Sequence, residues 1–302
     1  MKTTKSASQV LFRYLSERLP TSHFFCQTSF MRKLITFLCL TLPALMLTSM
    51  HGWSADLQRG WDAVLEGDYA TALYEWRPLA EQGSSVAQFN LGVMYDKGQG
   101  VPRAYETAVK WYTLSAEQGH AAAQFNLGNM YDEGQGVIQD YQTAVKWYTL
   151  AAEHGNSLAQ TNLGVMYDKG KGVPENDQTA VKWYTLSAEQ GNAPAQFNLG
   201  LMYDDGQGAP QDYESAVRWY TLAAEQGDVK AQTNLGVMYD KGKGVVQNYV
   251  RAHMWFNIAA SQEGPKSAIE NRDIIAARMT PFQIETAQDL AVECVKNNYK
   301  GC

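Results

Sequence analysis

The body of the chain is poor in the residues that usually carry chemistry. Its four cysteines are Cys26, Cys39, Cys294 and Cys302, so residues 55–293 contain none. Of five histidines, only His120, His154 and His253 follow residue 54, and no His-x-x-x-His pair occurs. Metal-ligand spacing is therefore missing. His120 and His154 stand near the ends of helical segments, where a cation suits the helix dipole. Neither a Gly-x-Ser-x-Gly elbow nor a Ser-x-x-Lys box is present, which removes the usual settings of a serine nucleophile. No catalytic residue, metal or cofactor is expected.

Long apolar runs are lacking too. The most extended, residues 34–47, has 14 residues, short of the ~20 that span a bilayer. It follows Arg32-Lys33 and precedes Gly52-Trp53-Ser54, which is the anatomy of a secretory signal peptide. Residues 1–54 read as a leader, with translation starting at Met31 and cleavage leaving Ala55 or Asp56 at the new terminus. The expected product is exported, periplasmic or secreted, with no stable membrane anchor.

Cations are in deficit. The leader holds Lys2, Lys5, Arg13, Arg18, Arg32, Lys33 and one acid, Glu17. Of 25 cations and 31 acids, the remainder keeps 19 and 30, a formal −11. This balance argues against nucleic acid as a partner.

What the chain has in abundance is repetition. Leu91, Leu127, Leu163, Leu199 and Leu235 are 36 residues apart, as are Tyr95 to Tyr239 and Trp111 to Trp255. A fixed period of this size means stacked supersecondary units. In one unit Ala87, Leu91, Met94 and Tyr95 share a helical face, and Ala108, Trp111, Tyr112, Leu114 and Ala116 mark a second helix with the tryptophan as its core anchor. Gly92 and its equivalents interrupt the first helix at a cost of ~1 kcal/mol each against Ala, so something packs where a side chain would stand. Gly98-Gln99-Gly100 forms the turn between the helices. Each such loop supplies one carboxylate at Asp96, Asp132, Asp168, Asp204 or Asp240, too few for calcium.

The Leu-Gly-x-x-Tyr of the first helix, the Gly-x-Gly turn and the Trp-Tyr-x-x-(Ala/Ser)-Ala-x-x-Gly second helix resemble the Sel1-like repeat, a relative of the tetratricopeptide repeat. The resemblance implies an all-α, right-handed α-solenoid of helix–turn–helix repeats. It implies a scaffold or adaptor that binds protein or peptide partners through a groove lined by the first helices. Bacterial members act in envelope assembly, polysaccharide export, signalling and host contact. A cysteine-rich branch is linked to β-lactam binding or hydrolysis, and this chain lacks that branch's cysteine pairs. The alternatives are thus an envelope enzyme of that type or a polysaccharide-export assembly scaffold.

The organisation expected is a degenerate repeat at 55–83, five repeats at 84–263, and a cap of two helices at 264–302. Thr280 to Gln283 makes a capping box for the last helix. Cys294 and Cys302 are positioned for a disulfide after export. The candidate groove is an asparagine ladder, Asn90, Asn126, Asn162, Asn198 and Asn234, beside the changing residues Phe89, Phe125, Thr161, Phe197 and Thr233. Such amides either grip an extended peptide backbone or join adjacent repeats.

Overall fold

The computed structural model describes residues 55–262 and 264–302; residues 1–54, read above as a leader, lie outside them. The described residues contain fourteen helices and no strand. A helix over residues 55–65 (α1) pairs in sequence with α2 (Tyr69–Glu81). The five full repeats follow as α3 (Ser85–Lys97) and α4 (Tyr105–Glu117), α5 (Ala121–Glu133) and α6 (Tyr141–Glu153), α7 (Ser157–Lys169) and α8 (Asp177–Glu189), α9 (Ala193–Asp205) and α10 (Tyr213–Ala224), then α11 (Val229–Lys241) and α12 (Tyr249–Ser261). The cap is α13 (Lys266–Ala276) and α14 (Pro281–Lys296), both packed on α12. From α2 to α13 each helix packs on its neighbours in sequence, the arrangement of an α-solenoid.

Local chemistry sets the helix bounds. Every first helix of the five repeats is capped by a polar side chain that accepts an amide hydrogen bond, from Ser84, His120, Asn156, Asn192 and Asp228. His120 does so through Nδ1, which accepts from the Ala123 N–H at 3.3 Å. An imidazole in that role is unprotonated, and burial holds its pKa below the ordinary value. The helix-end cation expected of His120 is thereby corrected: the residue starts a helix as an acceptor. Thr280 and Gln283 form the expected capping box.

In the first four repeats the tyrosine beside the tryptophan is the deeper core anchor. Tyr112, Tyr148, Tyr184 and Tyr220 are fully buried, whereas Trp111, Trp147 and Trp183 are half-buried; Trp219 and Trp255 are buried as expected of the tryptophan series. Each tyrosine ring lies against the mid-helix glycine of its own repeat; a Cβ on Gly164 would come within 2.6 Å of the Tyr184 ring. The helical cost of the glycine is offset by burial of an aromatic ring, which stabilises by a few kcal/mol. The second glycine of each turn has a different neighbour. A Cβ on Gly172, whose φ is +71°, would stand 2.4 Å from the Tyr141 backbone, in the preceding repeat. These turns are therefore joints between repeats as well as within them.

Candidate partner-binding face

The asparagine ladder lies at the seams between repeats. Asn126, Asn162 and Asn234 face the hydroxyls of Tyr112, Tyr148 and Tyr220, each in the preceding repeat. Those hydroxyls in turn donate to Asp96, Asp132 and Asp204 at 3.4, 3.3 and 3.4 Å. Burial, with the neighbouring carboxylates adding to it, pushes the phenol pKa values far upward, so the hydroxyls stay protonated donors. Asn129 joins the second seam: its Oδ1 accepts from Tyr148 at 2.7 Å and from Asn162 at 3.2 Å.

The two ends of the ladder show what the tyrosine supplies. Before repeat 1 the equivalent residue is Trp76, and Asn90, only 3% exposed, has an Nδ2 without a hydrogen-bond partner. In repeat 5 it is Phe256, and Asp240 Oδ1 has no hydrogen bond. Arg278 of the cap stands 3.8 Å from that carboxylate and supplies a charge in place of a phenol.

The phenylalanines also face inward. Phe89, Phe125 and Phe197 are half-buried against Tyr112, Tyr148 and Tyr220, with ring centroids 6.0–6.1 Å apart. Phe89 stacks in addition on His120 at 4.7 Å. Thr161 replaces the ring with hydrogen bonds to Ser187 and Asn192. Asn126, Asn162, Asn198 and Asn234 are half-buried and reach the surface at one edge; Asn90 does not.

Around these asparagines the first-helix surface varies between copies. One turn earlier stand Val86, Ala122, Leu158, Pro194 and Lys230; one turn later stand Val93, Asn129, Val165, Leu201 and Val237. Leu158 is 48% exposed.

A second ladder escaped sequence reasoning. Gln88, Gln124, Gln160, Gln196 and Gln232 are at most 4% exposed, and each donates through Nε2 to an alanine carbonyl in the preceding second helix, at 3.0–3.3 Å. Each Oε1 meets a side chain at the end of its own second helix: Gln118, His154, Gln190, Gln226 or Gln262. The signal was present in the 36-residue recurrence of Ala-Gln. A buried amide needs both its donor and its acceptor satisfied, which is what two flanking helices provide. At the C-terminus the structure joins Cys294 to Cys302 in a disulfide, Cα atoms 5.6 Å apart. Among the described residues no three His, Cys, Asp or Glu side chains come together as a metal site, and no helix is long and apolar enough to cross a membrane.

Stacked helical hairpins latched by recurrent polar ladders define a repeat solenoid of the protein-interaction scaffold type. The Sel1 repeat model matches five times, over residues 85–120, 121–156, 157–192, 193–228 and 229–263, and the chain belongs to the Sel1 repeat family. A Sel1 repeat protein from Oxalobacter formigenes is 33% identical over 77% of this chain and 97% of its own, with a TM-score of 0.68. A protective antigen present in uropathogenic Escherichia coli strains is 31% identical over 82% of this chain and 70% of its own, with a TM-score of 0.36. Comparison with curated proteins gives no match.

Proposed function

We propose that this protein is an exported scaffold without catalytic activity of its own, which holds a protein or peptide partner along the first-helix face of its repeats. The observation that carries the reading is the contrast between a latched frame that recurs in nearly every repeat and a partly exposed first-helix surface that changes from copy to copy. A frame so constrained fixes the spacing of contacts, and the changing residues select side chains of the partner. The free edges of Asn126, Asn162, Asn198 and Asn234 supply amides for its backbone, each worth a net ~0.5–1.5 kcal/mol. The signal-peptide anatomy of residues 31–54 and a disulfide at the C-terminus both suit an oxidising compartment outside the cytoplasm.

The test is capture of a partner from the native envelope, followed by affinity measurements on Leu158→Asp and Val165→Asp with thermal melting alongside. Affinity lost at unchanged melting supports the first-helix face; unchanged affinity in both variants moves the site elsewhere. N-terminal sequencing of exported material should begin at Ala55 or Asp56. Turnover of a β-lactam by the purified protein would replace the scaffold with an enzyme.

A further inference from the structure

The chain closes one of its own surface clefts with its C-terminus. The cleft lies between the second helices of repeats 4 and 5, α10 and α12. Trp255 and Ile258 are each 1% exposed there, packed with Ala291 and Cys294 of α14. Beyond α14 the chain doubles back under the Cys294–Cys302 disulfide. The Tyr299 ring covers Gly227, standing 3.4 Å from where its Cβ would be. Gly301 donates its N–H to the Glu225 carboxylate at 3.2 Å, and Arg251 donates to the Cys302 carbonyl oxygen at 2.9 Å.

The same cleft recurs at four earlier junctions, and there it is uncovered. Leu114, Leu150, Leu186 and Leu222 occupy the position of Ile258 and are 37–46% exposed. Glu81, Glu117, Glu153 and Glu189 stand where Glu225 stands, all exposed. Gly83, Gly155 and Gly191, equivalents of Gly227, face open space. Between α2 and α4 the cleft has a volume of about 420 Å³, bounded by Glu81, Lys110, Trp111 and Leu114 among others. One position differs systematically. Where the covered cleft has Met254, the open ones have Lys110, Lys146, Lys182 and Arg218.

We propose that the four open clefts are docking sites for a partner segment with the chemistry of this chain's own tail. Such a segment carries, as the tail does, an aromatic side chain and a free backbone N–H two residues beyond it, and in addition a carboxylate that the side chains of the tail's own residues 297–302 lack. The ring packs on the bare glycine and the exposed leucine. The N–H meets the recurrent glutamate in a charge-assisted hydrogen bond, and the carboxylate meets the cation that replaces Met254. Four copies at a fixed spacing let individually weak contacts act together. This inference rests on the scaffold reading but uses a separate surface, the second helices, so the two fail independently.

The probe is a disulfide-closed synthetic peptide of residues 294–302 with a free C-terminal carboxylate, titrated into the full chain and followed by tryptophan fluorescence and calorimetry. Saturable binding of more than one equivalent is expected. In the triple variant Glu117→Lys, Glu153→Lys, Glu189→Lys the stoichiometry should fall to about one equivalent, held at the cleft of Glu81, and a peptide carrying Tyr299→Ala should bind about tenfold or more weakly at every cleft. Glu225→Lys, which alters only the covered cleft, should leave binding intact. The three glutamates are exposed, so melting of the triple variant should match the parent and loss of binding reports the site. Absence of saturable binding, or binding unchanged in the triple variant, overturns the proposal. Self-association of the parent protein that the triple variant abolishes would make a second copy the occupant and overturn the assignment to a different partner. Loss of captured partner with Leu158→Asp, at unchanged peptide binding, keeps the two surfaces distinct.

Discussion

Tyr184 fills the place of the side chain that Gly164 lacks, its ring 2.6 Å from the position of a Cβ. Gly164→Ala gains ~1 kcal/mol of helix propensity but drives a methyl group into a fully buried ring whose surroundings are packed. Overpacking of this kind costs ~1–3 kcal/mol, so a net loss is expected in urea denaturation. Gly164→Ala combined with Tyr184→Leu should recover part of it, because the shared space is then relieved.

The two glycines of one turn differ in what they tolerate. Gly170 and Gly172 both have positive φ, 63° and 71°, but a Cβ on Gly170 meets only Glu175 at 3.4 Å. On Gly172 it meets the backbone of Tyr141 at 2.4 Å. Gly170→Ala should cost ~1 kcal/mol for its left-handed conformation, and Gly172→Ala clearly more, since the neighbouring repeat must shift. Equal melting temperatures for the two variants would contradict an inter-repeat joint at Gly172.

The period, the helix pairs and the capping box were legible because they rest on local patterns: recurrent leucines, turn glycines and Thr280 with Gln283. That something packs on Gly92 was legible too, but its identity was not. Trp111 and Tyr112 are adjacent aromatic residues about 100° apart on the helix, both at the edge of the same apolar stripe, and the spacing alone does not say which ring points inward; the tyrosine does. The amide ladders were ambiguous for a related reason. Asn162 and Gln160 recur equally well whether they bind a partner or the next repeat, and only the positions of Tyr148 and Ala152 in the preceding repeat separate the two. The cover of one cleft by the tail depends on contacts between Gly301 and Glu225, 76 residues apart, which no spacing rule connects.

Tyr148 hydrogen-bonds Asn129 and Asp132 of its own repeat, and Asn129 in turn accepts from Asn162 across the seam at 3.2 Å. Tyr148→Phe keeps the ring and removes the hydroxyl, leaving buried amide and carboxylate groups short of a partner. A loss of ~1–3 kcal/mol is expected, with Asn162→Ala causing a smaller one. The natural Phe256 is tolerated because Arg278 stands by Asp240. Arg278→Ala should therefore destabilise repeat 5 specifically, read as faster hydrogen exchange in α11 and α12.

The disulfide between Cys294 and Cys302 closes a short loop, so its direct contribution is at most ~2–3 kcal/mol. Its larger effect is to hold Tyr299 and Gly301 over the cleft of repeats 4 and 5. Cys302→Ser should lower global stability modestly and expose Trp255, seen as a red shift of its fluorescence. Intact mass of residues 55–302 measured under non-reducing conditions should show no free thiol.

His253 sets a pH response in the last repeat. It is 3% exposed, its Nδ1 has no hydrogen-bond partner, and it occupies the position held by Val109, Val145, Val181 and Val217 in the other copies. Burial first, and then the Arg272 charge, hold its pKa below the ordinary histidine value; Asp273 opposes them in part. An unfolded chain protonates this imidazole near pH ~6.5, while the folded chain resists until lower pH. Between those two values the unfolded state binds the extra proton, so stability is full above pH ~6.5 and falls as the pH drops below it. His253→Val removes that contribution and restores the residue the other repeats use. The fall in urea midpoint between pH 7.5 and pH 5 should be smaller in the variant than in the parent, because carboxylates and His120 contribute equally to both. An identical fall in the two proteins would mean that His253 titrates alike in the folded and unfolded chain.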